Sequence, residues 1–368
     1  MRARIPVTII TGFLGSGKTT LLNRLLRQPE LADTAVIVNE FGEVGLDHEL
    51  VEASDGTVVL LANGCVCCAV RGDFVRALDE LHRRRAQASG WRFVRIVVET
   101  SGLADPGPIS QALLSDPSLC AHYELDGVIT TVDVLSVAAT MQAHFEAVRQ
   151  IAVADQIVLT KHDLLHAETA AASLDALRAS LLRLNPGVCI ATASDVVRHI
   201  LRSAPLAHGQ HPDDHERWLR TDALAIRPLH GADADTTHTA RVKSFCIVRE
   251  EPMSEATLAM FLEGIVKYLG PGLLRIKGIV HVAERPAQPA VIQGAQSVLH
   301  ELTWLPHWPS ADRRTRLVFI TLDVDQEEVE EMFTMIERMQ ANTVRARTRA
   351  ANQRQPDSLQ MPSPICAS

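Results

Sequence analysis

Short apolar runs alternate with stretches of helical period through the first half of the chain. The runs are rich in Val and Ile and carry few polar positions, which is typical of strands buried on both faces. Between several of them, apolar residues recur every three or four positions, as in residues 73–84 and 108–114, which indicates amphipathic helices. This alternation predicts a mostly parallel sheet in an α/β fold. The predicted strands are residues 5–10, 35–39, 58–61, 93–99, 127–132 and 156–160.

The pattern changes near residue 204. Residues 204–240 hold few apolar runs, and their composition is typical of a linker. Clustered histidines suggest weak metal capture, although each histidine taken alone fits a surface or capping position better than a ligand position. The linker histidines are His208, His211, His215, His230 and His238.

Regular periodicity resumes at residue 241. The order that follows is one strand, one helix, three strands and one helix, which predicts a smaller α+β domain over residues 241–342. The helices are predicted at 254–269 and 327–340, and the strands at 242–248, 273–283, 290–292 and 317–322. Residues 343–368 are polar and contain proline, so we expect a disordered tail.

Composition narrows the class of protein. With 368 residues, 46% of them hydrophobic and 22% charged, the chain is long enough for two globular domains. A net charge of −8 argues against nucleic-acid binding, and no run approaches the roughly 18–20 apolar residues that span a bilayer. Seven cysteines, an odd number with three of them inside four positions, do not form a disulfide pattern. We therefore expect a cytoplasmic protein that binds neither nucleic acid nor membrane.

The segment TGFLGSGKTT at residues 11–20 carries the pattern G-x-x-x-x-G-K-[ST] between an apolar strand and a helix. In such a loop the glycines let backbone N–H groups surround phosphate oxygens, Lys18 reaches the β- and γ-phosphates, and the Thr19 hydroxyl holds Mg²⁺. The loop predicts that the chain binds a nucleoside triphosphate. The predicted phosphate-binding residues are Gly12, Gly15, Ser16, Gly17, Lys18, Thr19 and Thr20.

The segment ETSG begins at Glu99, where an apolar strand ends. A carboxylate at this place orients Mg²⁺ or the attacking water in nucleotidases, and the Gly102 N–H would approach the γ-phosphate. Glu99, Lys18 and Gly102 are the predicted catalytic residues. The alternative is that Glu99 only caps the following helix.

The segment TKHD, residues 160–163, follows the strand at 156–160. Asp163 could accept both N1–H and N2–H of guanine, a pair of donors that adenine lacks, so it favours GTP over ATP. The stem of Lys161 would pack over the base, and Thr160 completes the predicted base-binding set.

Cys65, Cys67 and Cys68 form a C-x-C-C motif after an Asn-Gly turn. Thiolates at this density favour a soft or borderline cation such as Zn²⁺, with Co²⁺ also accepted. A redox pair or small buried side chains are the alternatives. Glu40 lies in an acidic, glycine-containing loop that could sense the γ-phosphate and contact Mg²⁺ or the thiolate-bound metal, although a solvated acidic loop explains the charge as well.

The motifs in their order along the chain closely resemble the CobW-type GTPases, which belong to a wider group of metal-handling GTPases that includes HypB and UreG. The resemblance covers residues 5–340 and rests on GFLGSGKTT, VNEFGEVGLD, NGCVCC, VVETSGLADP, TKHD, LLRIKGIVHV, VIQGAQ and RLVFITLDV. Thr160 stands where the family commonly has Asn. Because this substitution removes an amide contact, we expect weaker nucleotide binding.

The resemblance implies a P-loop GTPase domain over residues 1–203 that contains the C-x-C-C motif, a His-bearing linker over 204–240 and a CobW-like C-terminal domain over 241–342. It also implies a GTP-hydrolysing metallochaperone that binds zinc at Cys65, Cys67 and Cys68. The metal would pass to a client metalloprotein through the C-terminal domain. The expected partners are GTP and GDP, a transition metal, the client and a second copy of the chain in a homodimer.

Three alternatives remain open at the level of sequence. The chain could be a dedicated cobalt-insertion or maturation factor for cobalamin synthesis or nitrile hydratase. It could be a non-hydrolysing regulatory module that recruits partners in a nucleotide-dependent way. An ATP-using kinase with an incidental cysteine cluster is the third alternative, and Asp163 argues against it.

Overall fold

The apolar runs of the first half form one parallel sheet. The computed structural model of the protein describes residues 4–39, 58–61, 68–86, 93–165, 167–192, 238–295 and 298–352. The seven strands are β1 (Ile5–Thr11), β2 (Thr34–Asn39), β3 (Val58–Leu61), β4 (Arg95–Glu99), β5 (Tyr123–Asp133), β6 (Gln156–Thr160) and β7 (Cys189–Thr192). Their order in the sheet is β3-β2-β4-β1-β5-β6-β7, and every neighbouring pair is parallel. The α/β class and the parallel sheet are confirmed, and β7 is an addition to the predicted strands.

Helices cover both faces of this sheet because its strands are apolar on both sides. In β1, Ile9 and Ile10 are both fully buried, but they belong to two different apolar clusters on opposite faces. One cluster packs against α1, and the other packs against α2, α3, α6 and α7. The helices are α1 (Lys18–Leu26), α2 (Cys68–Ala86), α3 (Gly107–Ser115), α4 (Pro117–Cys120), α5 (Val137–Ala143), α6 (Phe145–Ala152) and α7 (Ala167–Leu184).

The second half contains an antiparallel sheet with helices on one face. Its strands are β8 (Val242–Arg249), β9 (Leu273–Val280), β10 (Ala290–Ala295), β11 (Val298–Leu299), β12 (Thr303–Trp304) and β13 (Thr315–Leu322). The main path is β11-β10-β9-β13-β8, and β12 pairs with β10. The helices α8 (Glu255–Gly264) and α9 (Gln326–Asn352) pack on this sheet. Phe261 of α8, Phe333 of α9 and Phe319 of β13 lie in one apolar cluster. This is the predicted smaller α+β domain, with two short strands added.

The two sheets share buried surface. Val242, Leu274 and Ile320 of the antiparallel sheet lie in the same apolar cluster as the strands and helices of the parallel sheet. Arg275 of β9 extends the contact by donating to the backbone carbonyl of Val153. The C-terminal domain therefore packs directly against the domain that contains the parallel sheet.

The last helix corrects one predicted boundary. We expect the ordered domain to end at residue 342, whereas α9 continues to Asn352. The last part of α9 is polar but contains neither proline nor glycine, so nothing in its sequence interrupts the helix. Residues 353–368 of the predicted tail and residues 193–237, which include most of the predicted linker, lie outside the described residues. Within the part of the chain that the structure describes, no helix is both long enough and apolar enough to cross a bilayer.

Candidate functional site

Four strands deliver polar residues to one edge of the parallel sheet. β1 lies between β4 and β5, and β6 lies beyond β5, so the carboxyl ends of these four strands are neighbours. The P-loop follows β1, the ETSG segment follows β4, and the TKHD segment begins at the end of β6. In open parallel sheets, ligands bind at this edge. Strand order therefore gathers three of the sequence motifs at one place.

The P-loop wraps closely around the end of β1. Gly12 has a φ of +141°, and a Cβ there would lie 2.3 Å from Thr131 Oγ1, so no larger residue fits. Gly17, with a φ of 90°, precedes the first residue of α1. The Lys18 ammonium folds over the loop and donates to the carbonyls of Gly12 at 3.0 Å and Phe13 at 3.2 Å. The loop thus presents the N-terminus of α1 and one cation to the same space, which suits a phosphate group.

Thr19 and Glu99 meet beneath the loop. The Thr19 hydroxyl donates a hydrogen bond of 2.7 Å to Glu99 Oε1, although the residues lie 80 positions apart. Glu99 is only 3% exposed, at the end of β4. A hydroxyl and a carboxylate side by side are oxygen donors of the kind that Mg²⁺ accepts. The donor set therefore fits the predicted Mg²⁺, and the tertiary structure joins the two motifs that predict it.

The ETSG segment is tied to the end of β1 and packs against the P-loop. The Thr100 N–H donates to the Ile10 carbonyl at 3.0 Å, and its hydroxyl donates to Thr11 Oγ1 at 2.8 Å. A Cβ on Gly102 would lie 2.7 Å from the backbone nitrogen of Leu14. Only glycine allows this approach of two backbones. Gly102 thus lies against the phosphate loop.

Ser16 and Thr160 face each other in the interior of the site. Thr160 Oγ1 donates to the Ser16 carbonyl at 2.7 Å, with the Val132 carbonyl at 3.2 Å as a second acceptor. Ser16 Oγ lies 2.6 Å from Thr131 Oγ1. Both Ser16 and Thr160 are buried, so their side chains brace the loop and do not face its open side. Neither Thr131 nor this bracing role follows from the sequence motifs alone.

The TKHD segment turns sharply at Lys161. This residue has a φ of 57°, which is unusual for a side-chain-bearing residue, and its Nζ donates to Asp133 Oδ2 at 2.8 Å. Burial alone would raise the pKa of Asp133, but hydrogen bonds from Lys161, Leu135 and Ser136 outweigh burial and lower it. Asp163 follows in a short 3₁₀ turn with an exposed side chain. Asp133, which the sequence analysis missed, is signalled only by an acidic residue one position after a predicted strand.

The predicted metal ligands belong to two segments, one after β2 and one that ends at the start of α2. Cys65, Cys67 and Glu40 lie outside the described residues, and Cys68 is the first residue of α2, with its side chain outside the description. The described neighbours of the motif along the chain are β3, whose carboxyl end lies at the same edge of the sheet as the P-loop, and α2, which begins at Cys68. Within the described ranges, no three His, Cys, Asp or Glu side chains are arranged to hold a metal.

Of the linker histidines, His238 is described by the structure. His208, His211, His215 and His230 lie outside the described residues. The His238 ring lies 6.1 Å from the ring of Phe145, measured between centroids. Metal capture by the linker stays a prediction.

Comparisons with known proteins agree with this geometry. The family model for the CobW/HypB/UreG nucleotide-binding domain matches residues 6–191, and that for the cobalamin synthesis protein cobW C-terminal domain matches residues 242–337. The zinc chaperone YjiA of Escherichia coli is 31% identical over 335 residues, which span 89% of this chain and 98% of that protein. The zinc chaperone CobW of Pseudomonas aeruginosa is 33% identical, over 88% and 89% of the two chains. The crystal structure of Zn(II)-bound YjiA GTPase from E. coli superposes with a TM-score of 0.60 at 26% identity, and the match covers 91% of this chain and 99% of that one.

Proposed function

The chain belongs to the CobW/HypB/UreG family, and from that premise we propose that it is a GTPase that delivers zinc to a client protein. The contact that carries the proposal is the hydrogen bond between Thr19 and Glu99. It places the hydroxyl of a phosphate loop and a buried carboxylate at one point, which is the arrangement that a triphosphate with its cation needs. The zinc-chaperone names of similar proteins support the identity of the cargo.

GTP is the proposed nucleotide. The backbone of the loop at Gly15, Gly17 and Thr20 would surround the phosphates at the N-terminus of α1, and Lys18 would move from its carbonyl partners to the phosphate oxygens. Asp163 is exposed on the turn after β6, where its carboxylate can receive the two N–H donors of guanine. Lys161, two residues before Asp163, is held in place by its ion pair with Asp133.

Mg²⁺ is the proposed cation, with Thr19 and Glu99 as its protein-side contacts. When bound, it would supply charge neutralisation at the β- and γ-phosphates. The residues themselves do the positioning: Glu99 is buried and hydrogen-bonded, and Gly102 brings its backbone against the P-loop. Preorganised donors of this kind stabilise charge that develops during phosphoryl transfer. We therefore assign Glu99, Lys18 and Gly102 to catalysis.

Zinc is the proposed cargo, held at Cys65, Cys67 and Cys68 with Glu40 as a further candidate ligand. Thiolates accept Zn²⁺ readily, and Co²⁺ is the other metal that the motif would take. That α2 begins at Cys68, after a strand that ends at the same edge of the sheet as the P-loop, supports a metal site close to the nucleotide. GTP and metal would then affect each other's affinity by the same factor, as linkage requires. The client would be received through the C-terminal domain in the cytoplasm, with a homodimer as the working form.

The test is a set of turnover and binding measurements on the full chain. We expect GTP hydrolysis in Mg²⁺ that Glu99→Gln and Lys18→Ala reduce at least a hundredfold, with ATP bound much more weakly than GTP. We also expect a zinc affinity that differs between GDP and a non-hydrolysable GTP analogue, and that Cys65→Ala with Cys67→Ala abolishes. No turnover at saturating GTP, Mg²⁺ and Zn²⁺ would favour a regulatory module instead, and tighter, nucleotide-dependent binding of Co²⁺ would favour a cobalt-insertion factor.

A further inference from the structure

One buried glutamine holds the loop that follows Glu99. Gln150 lies on α6 among apolar residues and is only 1% exposed. Its Nε2 donates to the carbonyls of Gly102 at 3.1 Å and Ala104 at 2.9 Å. Both partners are acceptors, so the amide nitrogen must be the atom that faces them, and its two hydrogens serve one carbonyl each. Burying an amide is unfavourable unless it is bonded, and the bonds of this one are made by Nε2 to the loop, since Oε1 has no hydrogen-bond partner among the described residues.

The neighbouring residue of α6 makes a second attachment to the same loop. Arg149 Nη2 pairs with Asp105 Oδ2 at 3.0 Å, and each side chain is 28% exposed. Consecutive residues of one helix therefore hold residues 102, 104 and 105. Any displacement of this loop must either break these bonds or move α6.

The same short helix is attached to the C-terminal domain just after its last residue. Arg275 of β9 donates to the Val153 carbonyl and pairs with Asp155, and Lys277 pairs with Asp155 at 3.2 Å. The Asn185 amide donates to the carbonyls of Ile151, Ala152 and Ala154 at 2.8–3.1 Å. Asn185 therefore fixes the segment after α6 to the end of the helix, and this segment is the one that Arg275 binds.

The first residue of α6 also faces the C-terminal domain. The Arg241 guanidinium lies 5.4 Å from the centre of the Phe145 ring, and Arg241 is bound to Asp323 at the end of β13 at 3.0 Å. The loop that follows Glu99 and the C-terminal domain therefore contact the same eight-residue helix, α6. The C-terminal domain contacts α6 at both of its ends, and the loop contacts it between them.

We infer that Gln150 is a positioning residue for the nucleotide-facing loop and that α6 transmits the state of this loop to the seating of the C-terminal domain. The inference rests on the proposed function, because the loop can differ between GDP and GTP only if Gly102 responds to the γ-phosphate. Because coupling between two sites is reciprocal, the contacts that Arg275 makes at the end of α6 must then alter the affinity for GTP relative to that for GDP. The link passes through packed and hydrogen-bonded elements that are continuous in space.

The first measurement tests whether Gln150 positions the loop at Gly102. Gln150→Met keeps the size of the side chain and removes both hydrogen bonds. We expect it to lower kcat for GTP about tenfold while the Kd for GDP changes less than twofold, since GDP lacks the phosphate that Gly102 approaches. Gln28→Met, at a glutamine outside the site, is the matched control and should change neither quantity. An equal loss of GDP affinity would reduce Gln150 to a structural role and overturn the inference.

The second measurement is a double-mutant cycle on binding alone. Arg275→Met should change the ratio of the Kd values for GDP and a non-hydrolysable GTP analogue about fivefold, and in the Gln150→Met background the change should fall below twofold. Arg314→Met, at an exposed arginine of the C-terminal domain that pairs with Asp312, should leave the ratio unchanged. A ratio that Arg275→Met does not move, or moves equally in both backgrounds, contradicts transmission through α6.

A second cycle uses residues that are less buried than Gln150 and Arg275. Arg149→Met replaces Gln150→Met, and Arg241→Met replaces Arg275→Met, because loss of these partly exposed side chains should leave the fold intact. The two hypotheses also fail differently. A wild-type chain that binds neither nucleotide refutes the proposed function and this inference together, whereas normal hydrolysis with an unaltered Kd ratio refutes only the inference.

Discussion

The hydroxyl of Thr160 donates a hydrogen bond of 2.7 Å to the backbone carbonyl of Ser16, and this bond ties the TKHD segment to the P-loop. Its methyl group also lies close to Gly17, where an added Cβ would be 3.5 Å away. The side chain therefore contacts the loop through both of its branches. Thr160 is a predicted base-binding residue, and its hydroxyl also holds the backbone of the P-loop.

Thr160→Val should weaken GDP and GTP binding about fivefold, because the isosteric side chain keeps the packing but leaves the buried Ser16 carbonyl without its donor; such a loss is about 1 kcal/mol. Thr160→Ser retains the hydroxyl and should stay within twofold of the wild type. Isothermal titration with GDP gives both affinities. Equal affinities for the Val and Ser variants would show that the hydroxyl does not matter.

Gly102→Ala should lower kcat for GTP by at least tenfold, because the new Cβ would lie 2.7 Å from the Leu14 backbone and push the two loops apart. Single-turnover hydrolysis measures this step directly. Gly72→Ala in α2 is the matched control, since a Cβ there meets nothing within 4 Å and should leave turnover unchanged. An unimpaired Gly102→Ala enzyme would mean that the close approach is irrelevant to hydrolysis.

Asp126 should make folding stability depend on pH. It lies at a register shift of β5, and burial raises its pKa to about 6, although Arg95 and the Thr8 hydroxyl oppose the shift. A folded-state pKa above the usual value of about 3.9 means that the folded protein holds this proton more tightly. The contribution to stability is therefore present at low pH and is lost as pH rises through about 6.

Asp126→Asn should remove this dependence and raise the free energy of unfolding at pH 8 relative to the wild type. Urea denaturation at pH 5 and pH 8 measures the difference. The exposed Asp33→Asn variant should keep the pH slope of the wild type. A slope that persists in Asp126→Asn would assign the titration to another group.

Asp155 should be essential for seating the C-terminal domain, because it is the carboxylate between two cations of β9. It pairs with Arg275 and with Lys277, and these cations and the Val128 N–H lower its pKa against the opposing effect of burial. Asp155→Asn leaves the buried Arg275 and the partly buried Lys277 with less compensation and should cost about 3–5 kcal/mol of unfolding free energy. Asp312 pairs with Arg316 and with the half-exposed Arg314, which water can solvate once the pair is lost, so Asp312→Asn should cost less. Thermal denaturation of the two variants, followed by circular dichroism, compares them.

The strands of the parallel sheet could be predicted because burial on both faces leaves a direct trace in the chain. Six continuous apolar runs correspond to six of the seven observed strands. The seventh, Cys189–Thr192, contains only four residues and a mixed composition, so it is defined by pairing with β6 and not by its own pattern. The same reason hides β11 and β12, which contain two residues each and depend on the neighbouring β10.

The motifs could be located for a different reason, since backbone turns around phosphate demand particular residue types at fixed spacing. Glycines at positions 12, 15 and 17 and the following Lys-Thr satisfy that demand locally. In contrast, Asp133 and Gln150 belong to no motif. They become site residues only because β5 and α6 bring them beside Lys161 and Gly102.

The α/β class, the position of the P-loop and the chemical character of each segment at the site can be read from the chain alone, because hydrophobic periodicity and motif spacing are properties of neighbours along the chain. Which polar groups meet is set by the folded arrangement of the strands and helices: Thr19 meets Glu99, Thr160 meets Ser16, and Gln150 meets the loop at Gly102. These pairs lie 80, 144 and 48 positions apart, and they follow from the strand order of the sheet and from the packing of helices on it. A long-range contact of this kind leaves no periodic signal, since its energy depends on two distant segments arriving at the same place.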